Sequence, residues 1–248
     1  VVKIERPVVG DDTRGWVPPM IGEESAYYLS VNRNKRSVTL NLRHNLGRQI
    51  FLEMAKKADV VVENFTPGVV GRLGVDYGSV KEVNPRIVYC SISGFGQTGP
   101  YKDKSAYDQI MQGMGGIMSV TGEPGGPPTK TGIALTDIGA GMLAAFAIIT
   151  ALFKREAHQA REGQYIDISM LDLQVAWLTY MAGYYFATGE NPDKVGSAHP
   201  NLVPYQAFLC LDGKYLNVGV GSERMWKRFC IAIDRRDLFD NPDYAQNV

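Results

Sequence analysis

The chain has 248 residues, 45% of them hydrophobic and 21% charged, which is enough to bury one large core or two smaller ones. Lysine and arginine total 26, and so do aspartate and glutamate, so the chain lacks the basic excess of a nucleic-acid-binding protein. The three cysteines and the three histidines stand far apart in sequence, which argues against a disulfide framework and against a metal site.

The first half of the chain alternates strand and helix patterns with short connections. Strands are predicted at residues 1–5, 37–42, 59–65 and 86–93; the third contains Val60-Val61-Val62, a run typical of a parallel strand covered on both faces. One helix is predicted from a cap at Asn45 to about Ala58, and a second helical stretch ends near Asn84. Because this alternation needs crossover connections, it predicts an α/β fold with a parallel sheet.

The second half begins with an apolar stretch at 139–153, which is shorter than the ~20 residues of a membrane span and is predicted to be a buried core helix. A strand at 164–169, a long helix at 170–186 and a linker at 191–201 follow. Asp212-Gly213 predicts a hairpin between strand patterns at 205–211 and 214–220, before a helix at 223–233. The predicted domains are a large one at 1–188 and the start of a smaller α+β domain at 189–248.

Several side chains directly follow predicted strands. Arg6 follows the first strand, Asn64 and Phe65 end the third, and Gly94-Phe95-Gly96 follows the fourth. The carboxyl ends of parallel strands meet at one edge of a sheet, where α/β proteins bind their ligands. This placement is the first indication of a binding site. The basic cluster at 32–36, together with Arg6, Arg43 and Arg72, could hold phosphates, although such a charge run is more often a solvated face.

The run from Gly94 to Gly99 matches the glycine fingerprint of dinucleotide-binding proteins. In those proteins the fingerprint opens a helix, and an acidic residue follows about 20 positions later in a second strand. Here Pro100 disfavours a helical conformation at Gly99, and no acidic residue stands in that context. A loop is therefore predicted, and nicotinamide chemistry is not.

Asp137 stands at the predicted start of a helix whose first turns are rich in glycine and alanine. The helix dipole and the free amide groups there favour the ionised carboxylate, which can act as a nucleophile. Small neighbours allow another group to approach the backbone closely. From the spacing alone, Asp137 or the adjacent Thr136 is equally well interpreted as a helix cap.

Taken in order, a series of short motifs resembles the type III CoA-transferase family, the group that contains formyl-CoA and carnitine CoA-transferases. The series is Ile4-Glu5-Arg6-Pro7, Gly10-Asp11-Asp12-Thr13-Arg14, Asn32-Arg33-Asn34-Lys35-Arg36-Ser37, Val62-Glu63-Asn64-Phe65, Pro67-Gly68, Gly94-Phe95-Gly96, Tyr107-Asp108, and Asp137 ahead of Gly141. The runs at 27–35 and 203–208 are similar to members that use succinate and hydroxymethylglutarate, which implies small dicarboxylate substrates.

The resemblance implies that the catalytic residues are Asp137, as the nucleophile, and Asp108, near the reaction centre. Asp137 would attack an acyl-CoA thioester and form a mixed anhydride, which CoA would convert to an aspartyl-CoA thioester. The residues implied to bind CoA are Arg6, Arg43, Asn64, Phe65 and Arg72. An active-site loop containing Gly196 and His199 is implied as well, with amide groups of 196–201 as donors to the oxyanions; a lone loop histidine is more often structural, so no proton transfer is assigned to His199.

The resemblance also implies a Rossmann-like large domain and an interlocked homodimer. The expected partners are an acyl-CoA and a small carboxylic acid, with no nucleic acid, no membrane and no cofactor beyond CoA as a substrate. A cytoplasmic location is expected, or the mitochondrial matrix in a eukaryote. Relative to the family, the first strand and helix are expected to precede Val1, and a long return segment is expected to follow Val248.

Two alternatives stay open. The related 2-methylacyl-CoA racemases keep an aspartate that resembles Asp137, but they carry a histidine directly before the position of Asp108. Tyr107 stands there in this chain, and racemisation needs a base on each face of the carbon. The second alternative is a CoA-binding fragment without turnover.

Overall fold

The computed structural model describes residues 1–244. Its strands are β1 (Val2–Glu5), β2 (Met20–Ile21), β3 (Glu24–Ser25), β4 (Arg36–Thr39), β5 (Val60–Glu63), β6 (Val88–Ser93), β7 (Gln164–Ser169), β8 (Tyr205–Leu209) and β9 (Tyr215–Gly219). Its α-helices are α1 (Ala26–Val31), α2 (Asn45–Ala55), α3 (Val69–Leu73), α4 (Tyr77–Val83), α5 (Asp108–Met114), α6 (Ile117–Val120), α7 (Leu135–Ala157), α8 (Met170–Ala176), α9 (Tyr180–Thr188), α10 (Glu223–Ala232) and α11 (Arg236–Asp240).

The chain forms two compact units. The first unit contains Val1–Ala106 and Gly139–Met170, and the second contains Tyr107–Ile138 and the described residues from Leu171 onward. The chain therefore leaves the first unit and returns to it, and α7 begins among residues of the second unit. The predicted domain boundary at residue 188 differs from this division into units and stays a prediction.

The first unit contains two parallel sheets and one short antiparallel pair, β2 with β3. β1 pairs with β4, and a second sheet has the strand order β5-β6-β7, with every pair parallel. The core lies against this second sheet: Val80 and Ile87 are fully buried, and Tyr89 donates its hydroxyl to the carbonyl oxygen of Val75 at 2.9 Å. Burying each such aliphatic side chain contributes about 1.5–3 kcal/mol. The predicted α/β fold with a parallel sheet is confirmed.

Two details of the first unit differ from the prediction. β5 is not covered on both faces within the described chain, because the side chain of Val62 is exposed. The cap of α2 is His44 and not Asn45: His44 has an extended backbone, and its Nδ1 accepts the N–H of Leu46 at 3.2 Å, whereas Asn45 is already helical. Residues 94–99 form no helix, as predicted, and the next helix is α5.

The prediction of a buried core helix at 139–153 is right about the helix and wrong about its burial. On one face of α7, Ala140, Ala144 and Ala151 are buried. On the opposite face the large side chains are exposed, Phe146 to 70% and Phe153 to 76%. The small alanines lie on the buried face of α7, and its bulky residues face outward in an exposed stripe, which we define as Met142, Phe146, Ile149 and Phe153.

Among residues 1–244, α7 alone is long and apolar enough to cross a membrane by length and composition. A core helix of a soluble protein meets the same criterion, and the buried alanine face of α7 shows that part of it packs as a core helix does. The stripe on the opposite face is exposed in the described chain.

In the second unit, the single helix predicted at 170–186 is wrong. α8 ends at Ala176 and α9 begins at Tyr180, because Thr179 has a φ of 45°, outside the helical region. The predicted hairpin is confirmed: β8 and β9 are antiparallel, and Gly213 takes the left-handed conformation in the turn, with a φ of 78°. Glycine suits this position because it carries no Cβ.

Candidate active site

Asp137 lies in the first turn of α7, as predicted from the sequence. Its neighbour Thr136 is fully buried and anchors the turn, while Asp137 itself is exposed. Among the described residues, no donor forms a hydrogen bond to the Asp137 carboxylate. Its oxygens are therefore available to another molecule, and the start of α7 is held by its neighbours rather than by Asp137.

The cap of this turn comes from a distant part of the chain. The carboxylate of Asp108, the first residue of α5, accepts the N–H of Thr136 through Oδ1 at 2.8 Å. Its Oδ2 accepts the Nε2–H of Gln112 at 2.7 Å. Both oxygens of Asp108 are thus engaged, and an anion caps the positive end of α7 from outside the helix. The interpretation of Asp137 as the cap is replaced by this arrangement.

The pKa of Asp137 is raised above its ordinary value, first by burial of the carboxyl group among protein atoms and then by the negative charge of Asp108. The residue remains in contact with solvent on one side. The prediction that this position favours the ionised carboxylate is therefore wrong in direction, because burial and the Asp108 charge act against the helix dipole. Asp108 already occupies the N–H of Thr136 at the helix end, and its charge opposes a second anion there.

Two fully buried glutamines frame this turn, and neither lies in a recognisable sequence motif. Gln112 joins Asp108 to the segment that leads into α7, where its Oε1 accepts the N–H of Thr131 at 2.8 Å. Gln174, on α8, accepts the hydroxyl of Thr136 through Oε1 at 3.2 Å. The Nε2 of Gln174 has no partner within residues 1–244. Nothing in the sequence marks a helical glutamine as buried.

The five residues predicted to bind CoA all lie in the first unit and are solvent-exposed: Arg6, Arg43, Asn64, Phe65 and Arg72. Asn64 and Phe65 follow the carboxyl end of β5, where Glu63 accepts the N–H of Phe65 through Oε2 at 2.8 Å. Burial raises the pKa of Glu63. Arg6 forms an exposed ion pair with Asp12, and Arg72 lies in the last turn of α3.

The loop that contains Gly196 and His199 lies in the second unit, together with Asp108 and Asp137. Two of its amide groups are already engaged: Gly196 donates to the carbonyl oxygen of Gly122 at 3.1 Å, and His199 donates to that of Tyr205 at 2.9 Å. The Nδ1 of His199 accepts the N–H of Asn201 at 3.1 Å, and its ring lies 5.9 Å from the Tyr180 ring. These contacts give His199 a structural role in the loop.

Among residues 1–244, no three histidine, cysteine, aspartate or glutamate side chains are grouped as metal ligands. The chemistry that the site offers is that of its carboxylates. An accessible carboxylate with a raised pKa and free oxygens can attack an electrophilic carbonyl carbon once it is ionised.

The chain belongs to CoA-transferase family III, whose model matches residues 1–248. It is 41% identical over 247 residues to the succinyl-CoA:glutarate CoA-transferase of Homo sapiens, a match that covers 100% of this chain and 56% of that protein. It is 42% identical over 253 residues to the succinate–glutarate CoA-transferase of Agrobacterium fabrum, with coverage of 100% and 62%.

The fold has a solved counterpart. The crystal structure of a CAIB/BAIF family protein from Brucella suis matches with a TM-score of 0.85 and 40% identity, over 99% of this chain and 65% of that one. The chain therefore spans 56% to 65% of the length of these three proteins.

Proposed function

We propose that the complete protein is a CoA-transferase that moves CoA from succinyl-CoA, or a similar acyl-CoA, to a carboxylic acid through a covalent intermediate on Asp137. Membership of CoA-transferase family III and the names of the similar proteins support CoA transfer between acids. The observation that supports the intermediate is the accessible Asp137 carboxylate in the first turn of α7, without a hydrogen-bond donor among the described residues and beside the Asp108 charge.

The proposed reaction exchanges acyl groups without any oxidation. An Asp137 oxygen attacks the thioester carbonyl carbon and the C–S bond breaks. CoA departs as a thiolate, and a mixed anhydride of Asp137 and the acyl group remains. The thiolate then attacks the Asp137 carbonyl carbon, which releases the first acid as a carboxylate and leaves an aspartyl-CoA thioester. The acceptor carboxylate repeats both steps in reverse order, so that acyl-CoA leaves and the Asp137 carboxylate is restored.

Asp137 must be ionised to attack. Because burial and the Asp108 charge raise its pKa, its surroundings stabilise the anion less than water does. Conversion of Asp137 to a neutral anhydride or thioester removes this repulsion. In our proposal Asp108 acts as a positioning residue that holds the helix turn, since both of its oxygens are already engaged.

We assign CoA binding to the exposed set in the first unit. Arg6, Arg43 and Arg72 supply the guanidinium groups that suit the phosphates of CoA, and the exposed ring of Phe65 offers an apolar contact. No cofactor beyond CoA is proposed. The free cysteines of the described chain fit a reducing compartment, so we propose the cytoplasm, or the mitochondrial matrix in a eukaryote.

We further propose a homodimer, interlocked as the family resemblance implies, with a Rossmann-like fold in the large domain. The exposed stripe of α7 supports a covered surface there, because exposed side chains such as Phe146 form a contiguous apolar patch. Phe146→Glu is expected to weaken association at least tenfold, measured by light scattering across a dilution series. The control is Leu211→Glu at the exposed hairpin tip. Equal average molecular masses of the two variants at every concentration would contradict the proposal.

The decisive variant for the covalent step is Asp137→Asn in the complete protein. Loss of the nucleophile is expected to lower CoA transfer by about a thousandfold or more, while CoA binding by calorimetry is retained. The matched control is Asp237→Asn, which removes an exposed acid from the first turn of α11. Transfer that persists in Asp137→Asn would refute the assignment.

The racemase alternative is separated by exchange with solvent. Tyr107, at the N-terminal end of α5, offers no imidazole as a second base. A racemase incorporates deuterium from D2O into a 2-methylacyl-CoA, whereas the proposed transferase leaves the carbon beside the thioester unlabelled. A protein that binds CoA but shows neither transfer nor exchange would support the second alternative, a CoA-binding fragment without turnover.

A further inference from the structure

Gln112 is fully buried in the second unit and uses both ends of its side-chain amide. It lies on α5, one turn after Asp108. Its Nε2 donates to Asp108 Oδ2 at 2.7 Å and lies 3.4 Å from the carbonyl oxygen of Ile133. Its Oε1 accepts the N–H of Thr131 at 2.8 Å and the Thr131 hydroxyl at 3.2 Å. One buried side chain thus connects α5 to the segment that leads into α7.

The orientation of this amide is determined by its partners. A carboxylate oxygen and a carbonyl oxygen face one side of Gln112 and can only accept, while the backbone N–H of Thr131 faces the other side and can only donate. Reversing the amide would place acceptor against acceptor and donor against donor. The Nε2 of Gln112 must therefore point at Asp108.

This contact fixes the orientation of the Asp108 carboxylate. With Oδ2 held by Gln112, the other oxygen is directed at the N–H of Thr136, the residue directly before Asp137. A methionine or leucine of similar volume would fill the same buried space at a lower desolvation cost. Such a side chain would, however, leave both Asp108 Oδ2 and the N–H of Thr131 without this partner, so the amide at position 112 holds Asp108 in one orientation and ties it to the segment before α7.

We propose that Gln112 is a positioning residue of the transfer reaction, which holds the Asp108 carboxylate against the first turn of α7 so that Asp137 is presented to the acyl-CoA. This inference rests on the proposed function, because it assigns Gln112 a part in the attack by Asp137. Gln112 does not touch the substrate in this account and acts only through Asp108.

Two variants of the complete protein test it, with the rate of covalent labelling of Asp137 by acyl-CoA followed against pH. Gln112→Met removes the donor at nearly constant volume and is expected to slow labelling about tenfold to a hundredfold. Gln112→Glu keeps the hydrogen-bond pattern only while it shares one proton with Asp108, because two adjacent carboxylates cannot both be ionised at low cost. Its labelling is therefore expected to rise with pH as Asp137 ionises and then to fall at higher pH as the shared proton is lost, on a descending limb that the wild type lacks.

The matched control is Gln109→Met, which changes an exposed glutamine on the same helix and is expected to leave the profile unchanged. A purely structural role for Gln112 would lower the melting temperature without adding a descending limb to the Gln112→Glu profile. If the wild type is labelled and both Gln112 variants keep its rate and pH profile, the inference about Gln112 is overturned while the proposed function stands. A wild type that is never labelled at Asp137 would overturn the proposed function and this inference with it. If Gln112→Met does not fold, the pH profile of Gln112→Glu decides.

Discussion

Glu5 is the centre of a buried polar cluster, and its replacement has a calculable effect on stability. Its side chain is only 2% exposed and accepts hydrogen bonds from Arg14 Nε at 2.9 Å, from Arg14 Nη2 at 3.0 Å and from Ser37 Oγ at 2.8 Å. The N–H of Asp11 donates to the same carboxylate at 2.9 Å. The cluster ties β1 and β4 to the loop that follows Arg6, so it also supports a residue assigned to CoA binding.

The hydrogen bonds of Arg14 are the largest cause that lowers the pKa of Glu5 from 4.5 to about 2. That difference corresponds to about 3 kcal/mol of stability at neutral pH. Because the pKa is depressed in the folded state, the contribution is fully present above pH 4.5 and is lost as the pH falls from there to about 2. Glu5→Gln is expected to lose this amount at pH 7 and to lack this part of the acid dependence.

Urea unfolding followed by circular dichroism measures both effects. At pH 7 the midpoint of Glu5→Gln is expected to fall by about 1–3 M. The control is Glu24→Gln, since Glu24 is an exposed partner of the same arginine at 3.4 Å and its ion pair is worth at most about 1 kcal/mol. Equal midpoints for the two variants at pH 7, or an unchanged acid dependence in Glu5→Gln, would refute this reasoning.

Asp108 and Gly163 each act through a single close neighbour, and both can be tested by substitution. Asp108→Asn removes the negative charge that raises the pKa of Asp137, so the rise of Asp137 labelling with pH is expected to begin at lower pH, and an unshifted profile would contradict this cause. Gly163→Ala would place a Cβ 1.9 Å from the carbonyl oxygen of Ile87 and is expected to lower the free energy of unfolding by about 1–3 kcal/mol or more. The control is Gly71→Ala, where the Cβ would meet open space, and this variant is expected to be neutral or stabilising. Equal melting temperatures for the two variants would contradict the packing argument.

The regular part of the fold could be predicted from sequence patterns. The strand predicted at 164–169 is β7 with the same bounds, because its alternating apolar residues are bounded by a glycine and a helix. The break between α8 and α9 could not be predicted, since it depends on the backbone of Thr179, and the side-chain pattern continues across it. The outward face of α7 could not be predicted for a similar reason: apolar residues lie all around this helix, and composition does not reveal which of them are buried.

The position of Asp137 on its helix could be predicted, but its electrostatic surroundings could not. The placement of Asp137 in the first turn of a helix followed from local pattern. The raised pKa of Asp137 depends on Asp108, which is distant in sequence, and on burial that only the folded chain creates. The roles of Gln112 and Gln174 could not be predicted for the same reason, because hydrogen bonds between distant segments define them.

The most direct test of the central claim is the intact mass of the complete protein after incubation with succinyl-CoA, with hydroxylamine or borohydride as the trap and peptide sequencing to locate the modification. We predict one modified residue, Asp137, and no modification in Asp137→Asn. An unmodified wild type that still exchanges CoA between acids, or a modification that maps to another residue, would contradict the account.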